Sequence, residues 1–165
     1  MFPLIKENIR LQLEGGVEVV MIFDTAAGEV SPAFFRTMIQ PYLAQLAKAY
    51  PGKLGYYSKG TQNAFFDAEF TALPWAGQGF DHRCYIPECF SVQNKGFVQG
   101  NFDQGLLFMD EAEFKKQLTQ WLQPMKDMTI EQRAGWVCGL GHGVLPKTPE
   151  KHVKFFVEHV REALS

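Results

Sequence analysis

Cysteine is scarce in this chain of 165 residues: Cys84, Cys89 and Cys138 are all there is. An odd number without framework spacing excludes a disulfide-stapled secreted domain and predicts reduced thiols in a cytoplasmic protein. Long apolar runs are missing too. No stretch reaches the roughly 20 residues that a membrane-spanning helix needs. Residues 1–10 carry Lys6, Glu7 and Arg10, so they lack the apolar centre of a signal peptide. No charge of one sign dominates: 16 Lys and Arg stand against 18 Asp and Glu, mixed along the chain, for a net charge of -2. That balance excludes nucleic acid and anionic membrane as expected partners. Repeats, low-complexity segments and linkers are absent, so residues 1–165 read as a single domain.

What is present is apolar and aromatic. Hydrophobic residues make up 46% and aromatic residues 14%, enough to bury a core and to exclude disorder. Leu4, Ile5, Ile9 and Leu13 share one helical face, and Gly15-Gly16 ends that helix. Residues 17–23 read as a buried parallel strand. Ser31-Pro32 starts a second helix running to Tyr50, with Pro41 inside it expected to kink or break it. Further strands are expected at residues 54–58, 79–81, 97–99 and 136–139. Further helices are expected over 64–70, after a capping box at Asp110 and Glu113, and after Thr148-Pro149. Strands and helices alternate, which implies parallel strands joined by right-handed helical crossovers. Polar, glycine-bearing segments follow the strands at Asp24-Thr25, Lys59-Gly60, Asp81-His82, Asn101 and His142. Ligands bind at such strand ends in α/β folds. Five strands are too few to close an eight-stranded barrel.

Four segments carry a family resemblance. They are VMIFDTAAGEVSPAFF (residues 20–35), YYSKGTQ (56–62), VQGNFD (98–103) and LGHGVLPKTPEKHVKFFVEHV (140–160). In this order they resemble the uroporphyrinogen decarboxylase family over nearly the whole chain. The resemblance implies an incomplete (β/α) TIM-type barrel made of the last five strands and their helices. It implies cofactor-free, metal-free removal of the acetate carboxylates of uroporphyrinogen III, in haem biosynthesis. It also implies a tetrapyrrole substrate, and a partner that is either a second copy or a complementary N-terminal barrel segment.

The family pattern falls on few residues here. His142, in the LGHG segment, matches the cleft histidine, a catalytic candidate that can donate to a substrate carboxylate or steady a protonated intermediate. Phe23, Asp24 and Thr25 match an aromatic, an acidic and a hydroxyl residue at a strand end, and are substrate-binding candidates with His142. Read without the family, His142 fits a turn between two glycines, and Asp24 and Thr25 fit local backbone bonding. Gln99, Asn101 and Asp103 match a segment that shapes strand-end loops, although Gln104 stands where the family carries proline. Lys59 reads as either an anion-binding or a solvated loop residue. His82, Cys84 and Cys89 suggest a rival, a zinc-dependent methyltransferase relative, but their placement departs from that pattern. A third reading is a half-barrel assembly module without catalysis. The family's pyrrole-gathering aspartate, carboxylate-binding arginines and tyrosine belong to its first strands. None of Arg10, Arg36, Arg83, Arg133 and Arg161 matches them.

Overall fold

Five strands lie side by side in chain order, every neighbouring pair parallel: β1 (Val20–Asp24), β2 (Leu54–Ser58), β3 (Gly77–Phe80), β4 (Phe97–Phe102) and β5 (Trp136–Leu140). This computed structural model describes residues 1–61, 63–92 and 95–164, so Gln62 of the YYSKGTQ segment falls outside the described residues. Helix α1 (Phe2–Glu14) precedes the sheet. The β1–β2 crossover holds α2 (Pro32–Phe34), a π-helical segment (Phe35–Ile39) and α3 (Gln40–Ala49). Then come α4 (Ala68–Thr71), α5 (Ile86–Val92) and α6 (Glu111–Asp127) in the next three crossovers, and α7 (Glu150–Leu164) after β5. β1 and β5 each have one neighbour, so the sheet is an open α/β arc, as a count of five strands requires. No described helix is long and apolar enough to cross a membrane.

Side chains alternate across a strand, and the register decides which meet. On the outer face Tyr56 packs against the rings of Phe35, Phe66, Phe70 and Trp75. Phe102 packs against Phe114, Trp121 and Phe156 beneath α6 and α7. The inner face carries two rows. Met21, Gly55, Gly77 and Phe97 form the lower row, and Phe23, Tyr57, Gly79, Gln99 and Val137 the upper. In the lower row a Cβ at Gly55 would overlap the Met21 sulfur, and one at Gly77 would overlap the Phe97 ring. The two large side chains lie over the two glycines. In the upper row Phe23 is 64% exposed and Val137 44%.

Local chemistry explains the helix ends. Ser31 Oγ accepts from Phe34 N at 3.2 Å, the expected cap. Pro41 has no N–H to donate, and the π-helical turn just before α3 takes up that disruption in place of a break. Asp110 caps α6 through Glu113 N at 3.1 Å, but the Glu113 carboxylate turns to Lys116 and Gln117, so only half of the capping box forms.

Several boundaries differ from expectation. β1 begins at Val20 because Val17 N closes the end of α1 on Gln12 O, and as an edge strand it is only partly buried. β3 starts two residues earlier than expected, at Gly77. The helix expected over 64–70 is a 3-10 turn followed by α4, which Asp67 caps through Phe70 N at 2.8 Å. Helix α5 was not foreseen.

Stability should follow the outer face. Leu118, fully buried on α6, should cost about 2–5 kcal/mol as Leu118→Ala in urea denaturation. Leu4, 72% exposed on α1, should cost under about 0.5 kcal/mol as Leu4→Ala.

Candidate active site

The C-terminal ends of the strands frame a cavity of about 370 Å3 on the inner side of the sheet. Phe23 and Thr25 reach it from β1, Tyr57 from β2, Gln99 from β4, and Leu140 and His142 from the end of β5. Three of the four substrate-binding candidates from the sequence, Phe23, Thr25 and His142, therefore share one space. The Phe23 and Tyr57 rings stand 5.6 Å apart, centroid to centroid, and form an aromatic wall.

Gly141 holds His142 at this wall. Its N–H donates to Phe102 O at 2.7 Å, and its carbonyl accepts from Tyr57 Oη at 2.7 Å. A Cβ there would run into the backbone N of His82. The loop after β5 is thus wedged between the ends of β3 and β4 and pinned from β2. His142 itself is half-buried, with Nδ1 3.4 Å from Gly143 O. The ring is available to a ligand in the cavity.

Asp24 goes elsewhere. One residue on from Phe23, it faces the helices: Oδ2 accepts from Tyr56 Oη at 3.1 Å and Oδ1 from Ala26 N at 3.2 Å. Burial, then the Asp24 charge, raises the Tyr56 phenol above its ordinary range. Asp24 does not line the His142 cavity. It borders an apolar groove of about 660 Å3 beside β1, with Phe2, Ile5, Met38 and Tyr42, which meets the cavity at Phe23 and Thr25.

Asn101 and Asp103 serve the loops. Asn101 Nδ2 donates to Asp81 O at 2.8 Å and to Cys84 O at 2.6 Å, while Asp103 Oδ1 accepts from Gly105 N at 2.8 Å. The buried Asp81 accepts from Gly60 N at 2.6 Å and pairs with Arg83 at 2.5 Å, joining the ends of β2 and β3. Lys59 N donates to Asp24 O at 3.0 Å, and Lys59 O accepts from Gly28 N. Cys84 Sγ donates to Thr61 O at 3.6 Å and Cys89 Sγ to Tyr85 O at 3.4 Å, while His82 Nδ1 lies 4.0 Å from Asp103. Among the described residues no three His, Cys, Asp or Glu side chains form a group able to hold a metal ion. Sequence reasoning missed Tyr57. The signal that could have found it is its place in the strand, level with Phe23 across β1 and β2.

Burial pushes the Tyr57 phenol up to about 12. An unfolded chain releases that proton near pH ~10. Between these values the folded state holds a proton that the unfolded state has lost, so stability is intact below pH ~10 and falls as pH rises toward 12. Tyr57→Phe should flatten part of that fall in denaturation midpoints measured across this window. An unchanged slope would show that Tyr57 titrates alike in both states.

The sequence model of the Uroporphyrinogen decarboxylase (URO-D) family matches residues 2–163. The uroporphyrinogen decarboxylase of Nostoc punctiforme is 29% identical over 168 aligned residues, covering 93% of this chain and 43% of that protein. That of Thermus thermophilus is 27% identical, covering 93% and 44%. The chain thus spans under half the length of these relatives. A solved methyltransferase from Methanosarcina mazei superposes with a TM-score of 0.71 at 21% identity, covering 93% of this chain and 44% of its own, a likeness of fold alone. The fold is shared more widely than the sequence pattern, and it is the pattern, matched almost from end to end, that decides: the chain belongs to the uroporphyrinogen decarboxylase family.

Proposed function

We propose that this chain is the C-terminal portion of a uroporphyrinogen decarboxylase barrel, converting uroporphyrinogen III to coproporphyrinogen III once a partner completes it. The observation that carries this is the convergence of Phe23, Thr25 and His142, from the first and last strands, on one cavity. It lies at the strand C-terminal ends, where (β/α) barrels do their chemistry.

The cavity suits part of the task. The Phe23–Tyr57 wall offers flat apolar surface to a pyrrole ring, and the Thr25 hydroxyl and His142 ring can hydrogen-bond acetate carboxylates. Loss of carbon dioxide needs a protonated pyrrole carbon as electron sink, and positive charge on that ring must be stabilised by preorganised groups. A carboxylate gathering the pyrrole N–H groups would do so. Among the described residues lining the cavity there is no carboxylate and no arginine. Arg10 is engaged by Glu7 and Glu14, Arg36 by Ala64 O and Arg83 by Asp81. The missing charges are assigned to the partner, an N-terminal barrel segment whose strands pair with the open edges of β1 and β5. Exposed Phe23, Met38 and Tyr42 beside β1 favour such a partner, because uncovered apolar surface next to an open strand edge favours association.

Coproporphyrinogen formation tests this. The isolated chain should form no product above background. Adding the N-terminal fragment of the Nostoc punctiforme relative, ending where the alignment begins, should restore turnover. His142→Asn should then lower that turnover on the order of a hundredfold. Substantial product from the isolated chain would overturn the assignment. Light scattering gives the second check. The isolated chain should self-associate and the mixture should form a defined complex, whereas a clean, cooperatively unfolding monomer would refute the need for a partner.

A further inference from the structure

The geometry points to a second ligand site, outside the His142 cavity, that takes a small zwitterion: an α-amino acid with an apolar side chain. The site is a cavity of about 500 Å3 framed by the loop after β3, the end of β4 and α6. Its frame is tied together by one residue. Asn101 on β4, 3% exposed, donates to Asp81 O at 2.8 Å and to Cys84 O at 2.6 Å in the loop after β3. Its carbonyl oxygen accepts from Trp121 Nε1 on α6 at 3.3 Å. Walls fixed in this way reduce the ordering that binding would otherwise cost.

Charge of both signs lines the cavity. Arg83 comes from the loop after β3, and of its guanidinium nitrogens only Nη1 is engaged among the described residues, by Asp81. The remaining N–H groups suit a carboxylate. Asp103 follows β4. Its Oδ1 accepts from Gly105 N at 2.8 Å, and Oδ2 has no hydrogen-bond partner among the described residues, which suits an ammonium. Arg83 pairs with Asp81 and not with Asp103, so the two charges do not cancel each other. His82 adds an unmet need. Its Nδ1 is buried without a hydrogen bond, because Asp103 Oδ1 stands 4.0 Å away. A buried polar atom left unpaired is costly, and a polar ligand in this cavity gives it a partner.

The rest of the lining sets the ligand's other end. Ile86, Leu106, Trp121 and Pro124 offer apolar surface to an aliphatic or aromatic side chain. A simple anion would answer Arg83 and meet Asp103. A simple cation would answer Asp103 and meet Arg83. A zwitterion answers both and carries no net charge into the cavity. The His142 cavity has neither charge among its described lining residues, so the two sites select different chemistry.

Isothermal titration calorimetry of the full chain tests this with phenylalanine and leucine, beside two truncated probes. Phenylpropionate lacks the ammonium, and phenethylamine lacks the carboxylate. Both amino acids should bind saturably with a Kd below roughly 1 mM, and each truncated probe about tenfold more weakly or worse, the loss of one charge-assisted hydrogen bond. Asp103→Asn keeps the oxygen that Gly105 N needs. It should weaken phenylalanine about tenfold and leave phenylpropionate unchanged. Arg83→Gln should weaken phenylalanine and leave phenethylamine unchanged, with circular dichroism confirming that each variant is folded. No saturable binding of either amino acid, truncated probes bound as tightly as phenylalanine, or phenylalanine bound equally by Asp103→Asn and the unaltered chain would each overturn the proposal.

Discussion

Two side chains lying over two glycines organise the inner side of this molecule. Met21 and Phe97 are the only bulk in the lower row, and Gly55 and Gly77 leave them room between the outer strands of that row. Any Cβ at those glycines would push the two large residues off the sheet. With the base of the arc filled in this way, the open space is left above it, bounded by the upper row and the strand-end loops. The cavity that holds His142 is therefore a consequence of where bulk is placed one row below.

The upper boundary depends on backbone contacts between strands far apart in sequence. Tyr57 bonds the carbonyl of Gly141, Gly141 bonds Phe102, and Asp81 bonds the N–H of Gly60. Each joins the end of one strand to the loop of another, and the Tyr57 and Asp81 side chains are buried, where an unmade hydrogen bond would be costly. The charged side chains are spent differently. Arg10 and Lys115 pair within their own helices, at the exposed surface. Arg83 pairs with the buried Asp81 at the ends of β2 and β3, and among the described residues lining the cavity there is no lysine, arginine or carboxylate.

Much of this was legible in the sequence. The alternation of strands and helices, the Ser31 and Asp110 caps, and the strand-end positions of Thr25 and His142 follow from local chemistry and spacing. The direction of Asp24 did not. The run Val20–Asp24 is apolar on both faces up to its last residue, as parallel strands are, so periodicity could not say which side chains turn inward. Only the pairing with β2 decides that Phe23 joins Tyr57 inside while Asp24 joins Tyr56 outside. β3 was hard for the opposite reason. Gly77–Phe80 has almost no side-chain pattern, and its strand form is imposed by the neighbours between which it fits. Helix α5 is short, with Pro87 in its first turn and no apolar repeat long enough to announce it.

Stability and chemistry lie on opposite faces of the same strands. Outward, the rings around Tyr56 and Phe102 form an aromatic core buried beneath helices. Inward, Phe23 and Val137 stay exposed and the cavity has an aromatic wall, a hydroxyl and an imidazole without opposing charge. An arc of five strands can therefore satisfy its outer layer and still present an unfinished inner one. The outer layer depends on contacts between each strand and the helices beside it, which the crossovers bring with them. The inner layer has no helix against it, so its upper row stays open to whatever the cavity takes in.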